Sequence, residues 1–405
     1  MNLTITDIFK PRYFATLLLV LFCIRYIPLE TRAGPSMIKT IVSGVSIIVI
    51  LIYAPQPSKA TFWGGIYFLT ILFSALAHPL SFRWSTILYL LSFILTFTCF
   101  YNLVWVKRVF TIDYFLKLVK YLLYAYFITL LIQQSFLLVG IKLFSPINLC
   151  QILNRGIGAN SLSGEPSTAA RIMTILFYAY LKCSEYKQNE TVTIKQLFNS
   201  ENKLLTYGYI WSVITMGSGT AFVCAAVLSL YFIKPKQLLY IIPVYTLAFW
   251  GLSNSDNKSF NRAANIFDAT MTGDESVVRE TDTSAAVRIT PMLNTINNLD
   301  IMDADTWYGH GVDWSNRPDI KRSKYRMAGD IGDYGLIAYI LSIIFVFSCS
   351  INFFSLATVM YFIGIGGGTG NIAYFWGILM VFSTIKYFYD NRYNDFIYED
   401  DEITD

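Results

Sequence analysis

Residues 84–105 read WSTILYLLSFILTFTCFYNLVW, twenty-two positions without one charged side chain. About 20 apolar residues in a helix cross a hydrocarbon core about 30 Å thick. Inside lipid the backbone must satisfy its own hydrogen bonds, which leaves helices or closed barrels. Barrel strands alternate polar and apolar residues, and this stretch does not alternate. It reads as a membrane helix, and the same reading extends along the chain. Comparable runs lie near 13–29, 38–54, 60–77, 115–140, 167–183, 204–217, 219–233, 237–253, 331–349, 351–367 and 371–388. With 84–105 they make twelve spans.

Composition agrees. Charged residues are 14% of the chain, against about 25% in soluble domains, and hydrophobic residues are 55%. The expected fold class is all-α, a polytopic membrane protein. Residues 1–253 carry nine spans, 254–330 form one large polar loop, 331–388 carry three more spans, and 389–405 are an acidic tail. The tail (Glu399, Asp400, Asp401, Glu402, Asp405) reads as a solvated, disordered terminus. The run from Tyr13 to Leu29, flanked by Lys10 and Arg12, reads as a retained helix. Six scattered cysteines form no C-x-x-C pair and imply neither a disulfide framework nor a zinc site.

Lysine and arginine in short loops set orientation. Lys10, Arg12, Lys59, Lys107, Arg108, Lys182, Lys187, Lys195, Lys203, Lys234, Lys236, Lys386 and Arg392 fall on one face, which is assigned as cytoplasmic. The loops at 141–166 and 254–330 then lie on the opposite face.

The segment 254–327 holds nine Lys/Arg, eleven Asp/Glu and His310, one of only two histidines. Ile289, Met292, Leu293, Ile296 and Leu299 recur at helical spacing and predict an apolar stripe within it. Such a stripe packs on the bundle or lies in the membrane interface, packing being the plainer reading. Thr281, Asp282, Thr283 and Ser284 supply caps ahead of it. Trp307, Tyr308, Trp314 and Tyr325 suit an interfacial position or a sugar face.

Four segments could carry chemistry. In Ser163-Gly164-Glu165-Pro166-Ser167 the proline suits a first helical turn and Glu165 suits the helix dipole. Glu165 is also placed to act as a base at a membrane boundary. Arg171, six residues on, must snorkel, pair or line a cavity. Gly217-Ser218-Gly219-Thr220 breaks two short apolar runs, as close helix packing or an amide-lined anion site would require. Arg262, Arg279 and Arg288 present planar donor forks suited to phosphate. Interleaved Asp268, Asp274, Glu275, Glu280 and Asp282 make intraloop salt bridges the plainer reading. Finally, Tyr308-Gly309-His310-Gly311-Val312-Asp313 puts a proton-exchanging side chain between glycines that admit close backbone approach. A basic run (Arg317, Lys321, Arg322, Lys324, Arg326) and Asp330 follow. No two-histidine spacing supports a metal, and Asp303-Ala304-Asp305 is a weak D-x-D match.

In order, these segments resemble the O-antigen polymerase (Wzy) and O-antigen ligase superfamily. The matching pieces are Ser163–Ser167, Gly217–Thr220, Ser284-Ala285-Ala286-Val287-Arg288-Ile289, Gly309-His310-Gly311 and Gly332-Asp333-Tyr334-Gly335-Leu336-Ile337, spanning about 155–345. The resemblance implies a GT-C-like, metal-independent, inverting glycosyltransferase of the bacterial inner membrane, with its active side periplasmic and no cofactor. It implies transfer of a growing glycan from undecaprenyl pyrophosphate onto the next lipid-linked repeat unit. Arg288 would contact the leaving pyrophosphate, helped by Arg279, Arg262 and Arg171. Glu165, His310 and Asp330 are the candidate bases, unranked. Ligases carry a histidine-asparagine pair just before the closing span. Here Arg326-Met327-Ala328-Gly329-Asp330 stands there, which favours polymerase over ligase. The implied partners are the lipid-linked oligosaccharide, membrane lipid, a chain-length regulator and a flippase, without nucleic acid. A flippase or other transporter, and a noncatalytic scaffold, are the readings from other classes.

Overall fold

The computed structural model describes residues 10–24, 37–141, 157–199, 203–233, 237, 243, 246, 258–281, 283–316, 326–366, 370 and 373–394. Among them there is no strand. The helices are α1 (Pro11–Cys23), α2 (Met37–Tyr53), α3 (Lys59–Ala77), α4 (Trp84–Tyr101), α5 (Ile112–Leu138), α6 (Pro166–Gln188), α7 (Ile194–Asn199), α8 (Lys203–Thr215) and α9 (Gly219–Ser229). They continue as α10 (Lys258–Met271), α11 (Glu275–Thr281), α12 (Thr283–Asn298), α13 (Ala304–Tyr308), α14 (Ile331–Cys349), α15 (Leu356–Val359) and α16 (Ala373–Asp390). A π-helical turn prolongs α4 through Val106, and another follows α15 to Ile365.

Local sequence explains the starts and stops. Pro11 and Pro166 sit in the first turns of α1 and α6, where a missing N–H costs nothing. Ser58 and Thr61 form a reciprocal capping box on α3, and Thr111 caps α5 through the Tyr114 amide. The predicted break holds: α8 stops at Thr215, Gly217 takes φ 63°, and α9 starts at Gly219. A left-handed φ is free of strain only for glycine.

Among the described residues, four helical stretches are long and apolar enough to cross a membrane: Lys59–Ala77, Trp84–Val106, Ile112–Leu138 and Ala328–Cys349. Shorter apolar helices cover Pro11–Cys23, Lys39–Tyr53 and Gly219–Phe232. The ninth expected span, 237–253, lies outside the described residues apart from three positions, as do the 142–156 loop and the 395–405 tail.

Burial follows a lipid logic. The outer faces of α2 and α3 are apolar: Ile41, Ile48, Leu51, Ile52, Phe62, Leu69, Phe73 and Leu76 are all exposed. Polar groups turn inward instead. Thr96 donates to Ser43 at 2.9 Å, Asn102 to the Ala54 carbonyl at 3.1 Å, and Trp105 to Ser383 at 3.0 Å. The core is built by α14 on α3, α5 on α6, α1 on α16, α2 on α4 and α16 on α6. Trp376, Phe93, Phe97 and Phe345 interlock at its centre, with ring centroids 5.3–6.1 Å apart.

The loop helices make a separate small core. Ala269, Val278, Ala286 and Leu293 are buried together, with Val277 and Ile289 against them. The predicted stripe therefore divides. Ile289 and Leu293 pack inside the loop rather than on the bundle, while Met292 and Ile296 stay exposed. The physical reason is that α10, α11 and α12 offer one another apolar faces close in sequence. Asp274 heads α11 by accepting from the Ser276 hydroxyl and amide, which holds its carboxyl below the ordinary carboxylate range.

Candidate functional site

The chemistry-bearing turn Gly309–Ser315 docks on three pieces of the bundle: the end of α3, the start of α4 and the start of α14. The Gly311 amide donates to the Asp333 carbonyl at 2.9 Å, and the His310 amide to the Gly332 carbonyl at 3.1 Å. Ser74 of α3 donates to the Tyr308 carbonyl at 2.7 Å, and Ser81 to the His310 carbonyl at 3.3 Å. Arg83 pairs with Asp313 at 2.9 Å, joined by Thr86 at 3.2 Å.

Two glycines permit this approach. Gly335 departs from helical geometry inside α14, with φ 87° and ψ 165°, and Gly309 takes φ 74°. A β-carbon at Gly309 would sit 2.3 Å from the Asp333 carbonyl oxygen, and one at Gly335 would sit 2.2 Å from the Trp307 oxygen. The G-x-G turn and the G-D-Y-G span start are thus two halves of one contact.

His310 is half-buried and stacks on Trp314, with centroids 4.1 Å apart. Its Nδ1 lies 3.1 Å from the Gly332 carbonyl oxygen. A carbonyl can only accept, so a hydrogen bond there requires the Nδ1–H tautomer, in which Nε2 is the nitrogen able to take up a proton. Asp305 lies 3.6 Å from that Nε2 and would pair with the imidazolium that proton uptake creates.

Asp333 is the buried carboxylate of the site, 5% exposed, and accepts from the Ser315 amide at 2.7 Å. Asp313 and Asp330 lie within electrostatic reach of it. In the sequence Asp333 belongs to the Gly332–Ile337 motif and has no assigned role. Its signal was a carboxylate between two glycines at the start of an apolar run. His78, the other histidine, is also here: a β-carbon on Gly311 would touch its Cβ at 2.7 Å. Among the described residues no group of three or more His, Cys, Asp or Glu is arranged to hold a metal ion.

The remaining candidates are spread. Glu165 is exposed at the start of α6; Ser167 donates to it at 3.2 Å, and its side chain caps no amide. The approach to Glu165 is fixed by Gln133 of α5, which clasps the Ser161 backbone at 2.7 and 3.1 Å. Arg171 donates to Tyr374 at 3.0 Å, and its Nε is buried without a partner, beside a crevice of Thr174, Cys224, Val227 and Met360. Asp330 lies against Gly370, within 3.4 Å of where a β-carbon would stand. Arg171 thus meets α16 at Tyr374, and Asp330 lies beside Gly370. Arg279 pairs with Glu275 at 3.3 Å, the intraloop salt bridge expected from its neighbours. Arg262 and Arg288 lie on α10 and α12, with side chains outside the described residues, as are Arg317, Lys321, Arg322, Lys324 and Tyr325.

A comparison with known families, curated proteins and solved structures finds no match for the chain.

Proposed function

We propose that the protein is a membrane glycosyltransferase that polymerises surface polysaccharide, drawing the growing glycan from a lipid pyrophosphate onto a lipid-linked repeat unit. The observation that carries this reading is the docking of the His310 turn onto the kinked start of α14. It gathers an ionisable His–Asp pair and further carboxylates at one end of an apolar bundle. Charge in a transporter would be expected along its spans. Here the ionisable cluster sits at a helix start, supplied largely by the loop.

The division of charge suits two substrates. The His310 region is acidic and would repel a pyrophosphate, so it belongs with the acceptor hydroxyl. His310 Nε2 takes the proton from that hydroxyl as its oxygen attacks the anomeric carbon. The new carbon–oxygen bond forms as the bond to the phosphate oxygen breaks, and the electron pair leaves with the lipid pyrophosphate. A single displacement inverts the anomeric centre. Asp305 balances the imidazolium, and arginine charge balances the leaving group. Arg288 holds that role in this reading, with Arg262, Arg279 and Arg171 in support. Twelve spans, a GT-C arrangement and a periplasmic active side belong to the same proposal. The basic short-loop residues support that orientation: Lys59 and Arg108 lie within electrostatic reach of the last turns of α16, where Lys386 sits.

Deleting the gene and resolving both surface and carrier-linked glycan on a gel tests the reading. A ladder reduced to a single repeat on the surface acceptor supports a polymerase. A ladder stranded on the carrier means a ligase. Repeats trapped on the cytoplasmic side mean a flippase, and an unchanged ladder overturns a role in glycan assembly.

A further inference from the structure

We propose that the Ile301–Met302 turn is a membrane-interface anchor that dips into the lipid at the rim of the bundle. The turn is built rigidly. The Asp303 amide donates to the Asp300 carbonyl at 3.2 Å, and the Met302 amide to the Asp300 carboxylate at 2.9 Å. Trp307 Nε1 braces it from behind by donating to the Ile301 carbonyl at 2.9 Å. Asp303 then caps α13 through the Asp305 amide at 3.1 Å. What this braced turn presents outward is two apolar side chains, Ile301 at 58% and Met302 at 94% exposure. Polar residues make its internal hydrogen bonds and apolar residues occupy its tip, the reverse of an ordinary solvated turn.

Position identifies the occupant as lipid. Tyr308, at the far end of α13, packs on Phe73 of α3 with centroids 6.4 Å apart. Phe73 belongs to an exposed apolar stripe on a membrane-length helix: Leu69, Phe73 and Leu76, continued by Leu80 at 94% exposure. That stripe faces outward over the last turns of α3, so the Tyr308 contact places the C-terminal end of α13, one short helix from the turn, where the span ends. An exposed tyrosine at such a level suits the headgroup boundary. In this proposal the tip extends the bundle's own apolar belt, at the depth of about 5–10 Å reached by interfacial segments. Asp300, Asp303 and Asp305 flank it, so binding is apolar and gains nothing from anionic lipid.

This inference is independent of the catalytic reading. The test uses the full chain in lipid vesicles, with Cys150→Ser in the background, since the five described cysteines are buried. A nitroxide label is placed at Met302→Cys, and separately at Ile301→Cys. Glu280→Cys, exposed on α11, serves as the water reference and Phe62→Cys on α3 as the lipid reference. Collision rates with oxygen and with a water-soluble nickel chelate are compared. The expected result is an oxygen-to-nickel ratio several-fold above that of Glu280→Cys, and unchanged when anionic lipid is added. A ratio equal to Glu280→Cys puts the tip in water and overturns the proposal. A label frozen and shielded from both reagents means that protein covers the tip, and also overturns it.

Discussion

His310 is held at both ends, by the Gly332 carbonyl at Nδ1 and by the stacked Trp314 ring, so its Nε2 direction is set before any substrate arrives. Removing a general base typically costs about 10²–10⁴ in rate. His310→Gln is therefore expected to cut glycan polymerisation by that order while leaving protein level unchanged. Full activity in that variant, measured on purified protein with lipid-linked repeats, would return the base to Glu165 or Asp330. Asp333 makes a different prediction, because its work is to hold backbone. Asp333→Ala strips the part-buried Ser315 amide of its acceptor, a loss of about 1 kcal/mol. Asp333→Asn keeps an oxygen facing that amide and should retain most of the stability. Thermal unfolding in detergent reads the contrast, and equal loss in both variants would mean the negative charge itself matters. Arg288→Ala should leave the protein folded and inserted yet abolish polymerisation; normal glycan length at matched expression would remove Arg288 from the pyrophosphate role.

Among elements, the contact between the loop and α14 depends on two glycines that approach backbone to backbone. At Gly335 both constraints act together, since its φ and ψ fall where only glycine is comfortable and a β-carbon would strike the Trp307 carbonyl. Gly335→Ala should undock the Gly309–Ser315 turn without unfolding the bundle. Hydrogen exchange would show this at the His310 and Gly311 amides, whose acceptors lie on α14; unchanged protection there would mean the helix can straighten and carry the turn with it. These elements also show what the sequence could reveal. Pro166 at a first helical turn, the Gly217 break and the apolar periods predicted helices directly, because each is a local property. The apolar stripe on α12 was legible as a stripe, but its partner was not. Whether Leu293 meets the bundle or Val278 is decided by how α10–α12 fold together, and periodicity has no term for that. The same limit explains Arg83, an ordinary charge in sequence that becomes part of a site only when it meets Asp313, 230 residues away, at 2.9 Å.

For the molecule as a whole, the inward placement of Thr96, Asn102 and Gln133 and the outward placement of Leu51, Phe62 and Phe73 describe a surface meant for hydrocarbon. The basic side chains then become a ruler for orientation. Lys386 closes the far end of α14 by donating to the Phe347, Ser348 and Ile351 carbonyls at 2.6–3.3 Å. The His310 turn docks at the opposite end of the same helix. If α14 crosses the membrane, the two groups must face different compartments, and lysine-rich short loops are retained on the cytoplasmic side. An impermeant thiol reagent applied to intact cells should therefore label Glu280→Cys, on the loop carrying His310. It should not label Asn391→Cys, just past the end of α16, until the membrane is opened. Labelling of both in intact cells would mean that α14 does not span, and labelling of Asn391→Cys alone would invert the molecule. Inversion would put the His310 site among cytoplasmic nucleotide sugars instead of exported lipid-linked glycan, and Asp303-Ala304-Asp305 would then need a role as a metal–nucleotide ligand rather than as the support of a turn.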